Sequence, residues 1–220
     1  MSTPAQAWKN DPSYEDVHKL RFDLSLAALK PYLVAHDRLL SLGDSGTFER
    51  SLIEQRLVDI IESYSGDLRY PFDDGVDTGK FNVVLCMEVF EHIHDQECDK
   101  PTEWRATGTA NLLRETFRVL KPGGILFLTT PNACSINVLE KVMTMQAPMV
   151  YRPHVREYAP AEIDALIRGA GFRIESFVTH DCWGGGCLPA RRRLLEKLLA
   201  DGACPSPHRG EDIFVIARKP

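Results

Sequence analysis

Residues 81–89 read Phe-Asn-Val-Val-Leu-Cys-Met-Glu-Val, a run so nearly continuous in apolar side chains that a strand built from it must be covered on both faces. Strands of that kind belong to parallel sheets flanked by helices, and the rest of the chain supplies the helices. Residues 14–33 place Val17, Leu20, Leu24, Ala28 and Leu29 at helical spacing with Pro31 at the end, which predicts an amphipathic N-terminal helix. A short strand at 38–42 runs through Gly43-Asp-Ser-Gly-Thr47 into a helix over 48–55, and a second strand is expected at 57–61. Further on, the pattern predicts a helix over 106–120 stopped by Lys121-Pro-Gly-Gly124 and a strand at 125–130. A helix over 160–170, a strand at 172–179, a helix over 190–200 and a last strand at 212–218 follow. This alternation specifies an α/β sheet with helices on both faces.

Composition narrows the class. At 220 residues, with 44% hydrophobic and 26% charged, the chain suits a single globular domain: a helical cap over 1–37 and a core over 38–220. The longest uncharged apolar stretch, 123–131, is strand-sized, so no membrane span is expected. The first eleven residues carry neither a basic start nor an apolar block, which makes a cytoplasmic location the expectation. Six scattered cysteines suit reduced thiols better than a disulfide framework. A net charge of −5 without a basic tract gives nucleic-acid binding no electrostatic support.

Three stretches together carry a family likeness: Phe81 through Glu91-His-Ile-His-Asp95, Leu112 through Lys121-Pro-Gly-Gly124, and Ile125-Leu-Phe-Leu-Thr-Thr-Pro-Asn132. They resemble the central block of the class I S-adenosylmethionine-dependent methyltransferases, and Asp67-Leu-Arg-Tyr-Pro-Phe72 and residues 159–172 extend the match. The resemblance implies a Rossmann-like sheet, mostly parallel with an antiparallel last strand, and a cofactor at the carboxyl ends of the strands. It also exposes a conflict. Only four residues separate Glu62 from Asp67, where the family has a helix and the start of another strand, and a parallel crossover needs about a dozen residues. Either one strand and helix are missing after the second strand, or residues 63–71 run over the sheet edge as loop; both leave the second strand at or near an edge.

The resemblance also implies a cofactor site. Gly43 and Gly46 permit the close backbone approach that the methionine end of S-adenosylmethionine needs. The family's acid before the first glycine is Ser41 here and one glycine is gone, so Asp44 is the candidate substitute for holding the ammonium. Glu62, 19 positions beyond Gly43, is the candidate for the ribose diol, with Asp59 its rival. Asp67 and Leu68 match the pair that meets adenine in the family. Met87 and Glu88 line the other side, while Tyr14 and Arg21 close over the carboxylate from the N-terminal helix.

Methyl transfer to a hydroxyl needs alignment and removal of a proton. The candidate groups are Glu91 and His92, His94 beyond them, and His154 in Tyr151-Arg-Pro-His-Val-Arg-Glu-Tyr158, a stretch rich in aromatic, arginine and histidine side chains. Neither His92, His94 and Asp95 nor Cys182, Cys187, Cys204 and His208 has the spacing of a paired zinc motif, so no metal is expected. Trp183 could border the substrate mouth, and Arg191-Arg-Arg193 reads as a solvated helix face. The expected function is O-methylation of a sugar-derived or other small polar acceptor, by a chain able to form a homodimer. The alternative is a methyltransferase-like regulatory partner without cofactor binding; a nicotinamide oxidoreductase is poorly matched because the turn has too few glycines. The reduced turn and missing crossover predict weaker cofactor binding than in typical relatives: calorimetric titration with S-adenosylhomocysteine should give a micromolar or weaker dissociation constant, and a submicromolar value would contradict it.

Overall fold

A computed structural model describes residues 12–43, 46–73, 75–96, 107–183, 187–204 and 206–220. Asp44 lies outside them, as does the side chain of Tyr14. Among the described residues the order is α1 (Pro12–Leu29), β1 (Arg38–Leu42), α2 (Thr47–Glu54), β2 (Ile60–Tyr64), β3 (Phe81–Met87), α3 (Thr107–Val119), β4 (Leu120–Pro131), α4 (Ile136–Met143), α5 (Pro160–Gly169), β5 (Arg173–His180), α6 (Pro189–Asp201) and β6 (Asp212–Arg218). No helix among them is long and apolar enough to cross a membrane.

The strands form one sheet in the order β2-β1-β3-β4-β6-β5. β2, β1, β3 and β4 are parallel, and β6 runs antiparallel between β4 and β5. The described residues between 65 and 80 form no strand, and β2 is an edge of the sheet. That connection is not empty filling. Leu68 and Phe72 are buried in it against Tyr64 and residues of α3, so the loop covers the sheet face that the absent helix would cover.

The central strands alternate between two cores, as burial on both faces requires. Val84, Cys86, Leu126, Leu128, Ile213 and Val215 pack toward α3 and α5. Val83, Leu85, Ile125, Phe127, Phe214 and Ile216 pack toward Leu29 of α1 and Phe48 and Leu52 of α2. β1 sends α2 to one side while β3 begins on the other, so the chain reverses its order between β1 and β3. A crevice opens at the carboxyl ends there, where ligands bind in this architecture.

Two sequence expectations are corrected. The second strand starts at Ile60, three residues later than expected. The cause is the end of α2: Arg56 adopts φ +55°, Leu57 N–H donates to Leu52 O at 3.0 Å, and Arg56 N–H donates to Ile53 O at 2.9 Å. That is a Schellman cap with arginine where glycine is usual, and it spends Leu57 and the buried Val58 on closing the helix. In α1, Val17 and Leu20 are 58% and 51% exposed, and the buried stripe is instead Arg21, Ser25 and Leu29. A further helix, α4, arises where none was expected, capped by the Ser135 side chain accepting from Val138 N–H.

Because a left-handed backbone strains an exposed arginine, Arg56→Gly should stabilise the fold by up to about 1 kcal/mol, net of the entropy glycine loses. Urea unfolding with an unchanged m-value and a higher midpoint is the expected result; a lower midpoint would contradict the cap assignment.

Candidate active site

The turn after β1 is built for close approach. Gly43 has φ +82°, and a Cβ there would lie 2.7 Å from Val89 Cγ2, so both backbone and space demand glycine. Gly46, at φ +75°, is the residue preceding the first turn of α2. Ser41, standing where the family has an acid, donates from Oγ to Glu49 Oε1 at 2.6 Å. Glu49 is buried in the first turn of α2, where a negative charge suits the helix amino end. The structure thus brings a carboxylate to Ser41 from eight residues downstream.

Beyond that turn lies a cavity of about 800 Å³, walled by residues from the ends of the parallel strands, from α1 and from the segment after β4. Gly43, Leu68, Met87 and Glu88 line one part. Glu91, His92, Tyr151 and His154 line another, and Arg21, His18, Phe22 and Trp183 complete the wall. Of the sequence-predicted residues, Arg21, Gly43, Leu68, Met87, Glu91, His92 and His154 therefore meet around one space.

Glu62 and Asp67 do not share it. The displaced start of β2 puts Glu62 in mid-strand, where its carboxylate accepts from Arg38 Nη2 at 2.5 Å and Lys80 Nζ at 2.7 Å. Those partners sit at the amino ends of β1 and β3, opposite the cavity, and their hydrogen bonds hold Glu62 below the usual carboxylate range, Lys80 contributing most. Asp59, the rival, is exposed beside His36. Asp67 accepts from Arg69 Nε, Nη2 and backbone N–H, which lower its pKa. Asp95 is also committed elsewhere, accepting from the backbone N–H of Thr107 at 2.8 Å at the start of α3.

Arg21 is 1% exposed and meets Glu88 Oε1 at 3.3 Å. Glu88 takes φ +54°, a costly conformation for a residue with a Cβ, and is pinned by Thr129 Oγ donating to Oε1 at 2.9 Å. Glu91 is fully buried. Its Oε2 accepts from Thr130 Oγ at 2.8 Å, while Oε1 has no hydrogen-bond partner among the described residues. Burial, reinforced by the charge of Glu88, pushes its carboxyl well above the usual range. Asp212, equally buried beside the same charges, is displaced in the same direction for the same reasons.

His154 Nε2 lies 3.9 Å from Glu91 Oε1, and its Nδ1 lies 2.9 Å from Glu157 Oε1. That Glu157 oxygen also accepts from Val150 N–H at 2.5 Å and Tyr151 N–H at 3.3 Å. An oxygen serving as acceptor to these amides accepts from His154 Nδ1–H as well, which turns Nε2 toward Glu91. Val155 and Arg156 donate their backbone N–H groups to Glu91 O, docking the His154 segment on the turn that carries Glu91. His92 Nε2 stands 4.0 Å from Glu91 Oε1, and the two imidazoles meet edge to face.

Sequence reading missed His18, Phe22, Glu49 and Glu157. His18 Nδ1 accepts from Trp183 Nε1 at 3.3 Å, and burial followed by the charge of Arg21 lowers its pKa to about 4, so it is neutral near pH 7. Its position four residues from Phe22 and three from Arg21, on one side of the helix, was the available signal.

Comparison with known proteins agrees with this architecture. Over 113 residues the chain is 33% identical to the ubiquinone biosynthesis O-methyltransferase of Xanthomonas oryzae pv. oryzae, a match covering 48% of this chain and 42% of that protein. The chain thus matches less than half the length of that relative. A S-adenosylmethionine-dependent methyltransferase from Archaeoglobus fulgidus superposes with a TM-score of 0.60 at 15% identity, covering 95% of this chain and 100% of that one. A Haloferax volcanii chain solved in complex with a methyltransferase activator gives 0.62 at 16% identity, covering 100% and 99%. A family profile described as a methyltransferase domain matches residues 6–176. The chain belongs to the methyltransferase-domain family.

Proposed function

We propose that the protein transfers a methyl group from S-adenosylmethionine to a hydroxyl oxygen of a small polar acceptor. The observation that carries this reading is the single cavity that joins the obligate glycine turn and Met87 to the Glu91, His92 and His154 cluster. The residues present fit the cofactor. Gly43 supplies a left-handed turn packed closely on Val89, the amino end of α2 follows it, and the Glu49 carboxylate lies behind the turn on Ser41. Leu68 and Met87 offer apolar walls to a nucleoside, and Arg21 is placed to meet a carboxylate. Bound there, S-adenosylmethionine supplies a methyl carbon on positively charged sulfur, open to in-line attack.

The chain's own residues align the acceptor and deal with its proton. Glu157 fixes the His154 ring so that Nε2 faces Glu91 at the cavity wall, the arrangement by which a carboxylate orients an imidazole. Tyr151 stacks edge-on against His154 and Trp183 borders the same space, so a compact acceptor is enclosed by aromatic surface on two sides. The O-methyltransferase name of the Xanthomonas relative supports oxygen as the acceptor atom.

Thermal unfolding with and without S-adenosylhomocysteine tests the cofactor half. At ligand concentrations 100-fold above the dissociation constant the native state gains about 2.7 kcal/mol, which raises the melting temperature by several degrees. Gly43→Ala should weaken that binding at least about tenfold, since the added Cβ forces a strained turn or displaces Val89. No shift in the wild-type protein favours the non-catalytic reading. For the acceptor half, His154→Ala should lower kcat by about 10²–10⁴-fold with cofactor affinity unchanged; full activity in that variant would remove His154 from the chemistry.

A further inference from the structure

We infer that Glu91, His92 and His154 form a binding site for a divalent first-row transition-metal ion, held by Glu91 Oε1 and one nitrogen from each imidazole. The inference rests on the methyltransferase reading only for the use made of the ion, not for its binding. The three donor atoms lie within 4.8 Å of one another on the cavity wall. Glu91 Oε1 is the strongest pointer. It is a fully buried carboxylate oxygen without a hydrogen-bond partner among the described residues, aimed at two imidazoles. A buried acceptor left unmatched is unfavourable, and a cation at this point offsets that cost.

The surroundings have the form that metal sites take. A ligating histidine characteristically donates its other ring N–H to a carboxylate, and the Glu157–His154 contact at 2.9 Å is that arrangement. Thr130 likewise holds the second oxygen of Glu91, fixing the carboxylate's orientation. Metal–ligand distances of about 2.1 Å put tetrahedral donors about 3.4 Å apart, so the 3.9 and 4.0 Å separations close by about half an ångström each. The donor atoms span up to 4.8 Å, so the imidazoles must also approach each other, and His92, whose side chain is 44% exposed, is the most accessible of the three and the one to move. Two nitrogens and one oxygen favour ions such as Zn²⁺ or Co²⁺ over Mg²⁺, which prefers all-oxygen shells.

Three protein ligands leave open positions toward the cavity. With the His154 Nε2 lone pair committed to the ion, His154 serves here as a ligand and not as the proton acceptor: an acceptor hydroxyl in an open position has its pKa lowered by the ion, and its proton leaves to bulk water. Its oxygen then forms the new bond to the methyl carbon while the carbon–sulfur bond breaks and its electron pair stays on sulfur.

Titration of the chelator-treated full-length protein with Co²⁺, followed by visible absorption and by equilibrium dialysis with elemental analysis, tests the site. The expected result is one Co²⁺ per chain, displaced by Zn²⁺ and not by equimolar Mg²⁺. His154→Ala and Glu91→Gln should each lose at least tenfold in affinity, Glu157→Gln about 10–100-fold, and His36→Asn, on the exposed surface, nothing. Circular dichroism and the thermal shift with S-adenosylhomocysteine identify any variant that has failed to fold; should Glu91→Gln do so, His154→Ala decides. Substoichiometric binding, or affinity unchanged in folded His154→Ala, overturns the metal site whatever the cofactor does. Tight Co²⁺ binding without any response to S-adenosylhomocysteine leaves the site standing and overturns the transferase reading instead.

Discussion

The ion pair between Arg21 and Glu88 is the constraint on which the rest of the site depends. It joins α1 to the carboxyl end of β3 with both partners largely withdrawn from water. Buried charges of this kind contribute little net stability while paired and cost about 3–5 kcal/mol when one partner is removed, so the pair acts chiefly to specify position. Position is what the site needs. Arg21 holds its helix across the crevice, and His18, one turn earlier, and Phe22 come with it to form the cavity wall. The same pair anchors Glu88 in a left-handed conformation, which redirects the chain into the turn carrying Glu91 and His92.

The local field follows from that anchor. Glu88, Glu91 and Asp212 converge near the ends of β3 and β6, and the charge on Glu88 raises the pKa of both other carboxyls beyond what burial alone does. Arg21 counters the effect in each case without cancelling it. A region that crowds carboxyl groups around a guanidinium favours further positive charge, whether an ammonium, a sulfonium or a metal ion. Binding and proton release are linked there: a cation entering stabilises the ionised carboxylates, so it lowers their pKa values toward the ordinary range.

Most of the fold was legible because its strands are buried on both faces and its helix ends carry proline and glycine. Phe81–Met87 and Asp212–Arg218 are plain in the sequence for that reason. What escaped reading has identifiable causes. Leu57 and Val58 look like the start of a strand, yet they close α2, because an arginine adopts the left-handed cap that glycine would have announced. That three-residue error carried Glu62 from the end of a strand, where it could face a ribose, to its middle, where lysine and arginine take it. The stripe on α1 was misphased because hydropathy does not anticipate an arginine in the core; only the partner, Glu88, makes it affordable. Glu49 shows the converse. The family's acid is absent at Ser41, and a carboxylate reaches that serine from eight residues downstream.

Glu91, His92 and His154 were each named from the sequence, but their meeting was not legible there, since His92 and His154 belong to separate segments and no spacing rule relates them. Their meeting is the work of the backbone. Two amides, from Val155 and Arg156, converge on the carbonyl of Glu91, and Ala133 N–H donates to Tyr158 O to tie the other end of the segment to β4. These bonds are insensitive to side-chain identity, so the loop would dock with almost any sequence at 151–154. What the sequence adds is Glu157, which gathers the amides of Val150 and Tyr151 together with the ring of His154 on one oxygen. A carboxylate that folds its own loop and orients the loop's histidine couples the two tasks: the placement of His154 Nε2 is set by the same interaction that shapes the cavity wall. Rigid main-chain docking with a single orienting carboxylate is how a segment outside the sheet attains the positional precision that chemistry between two bound molecules demands.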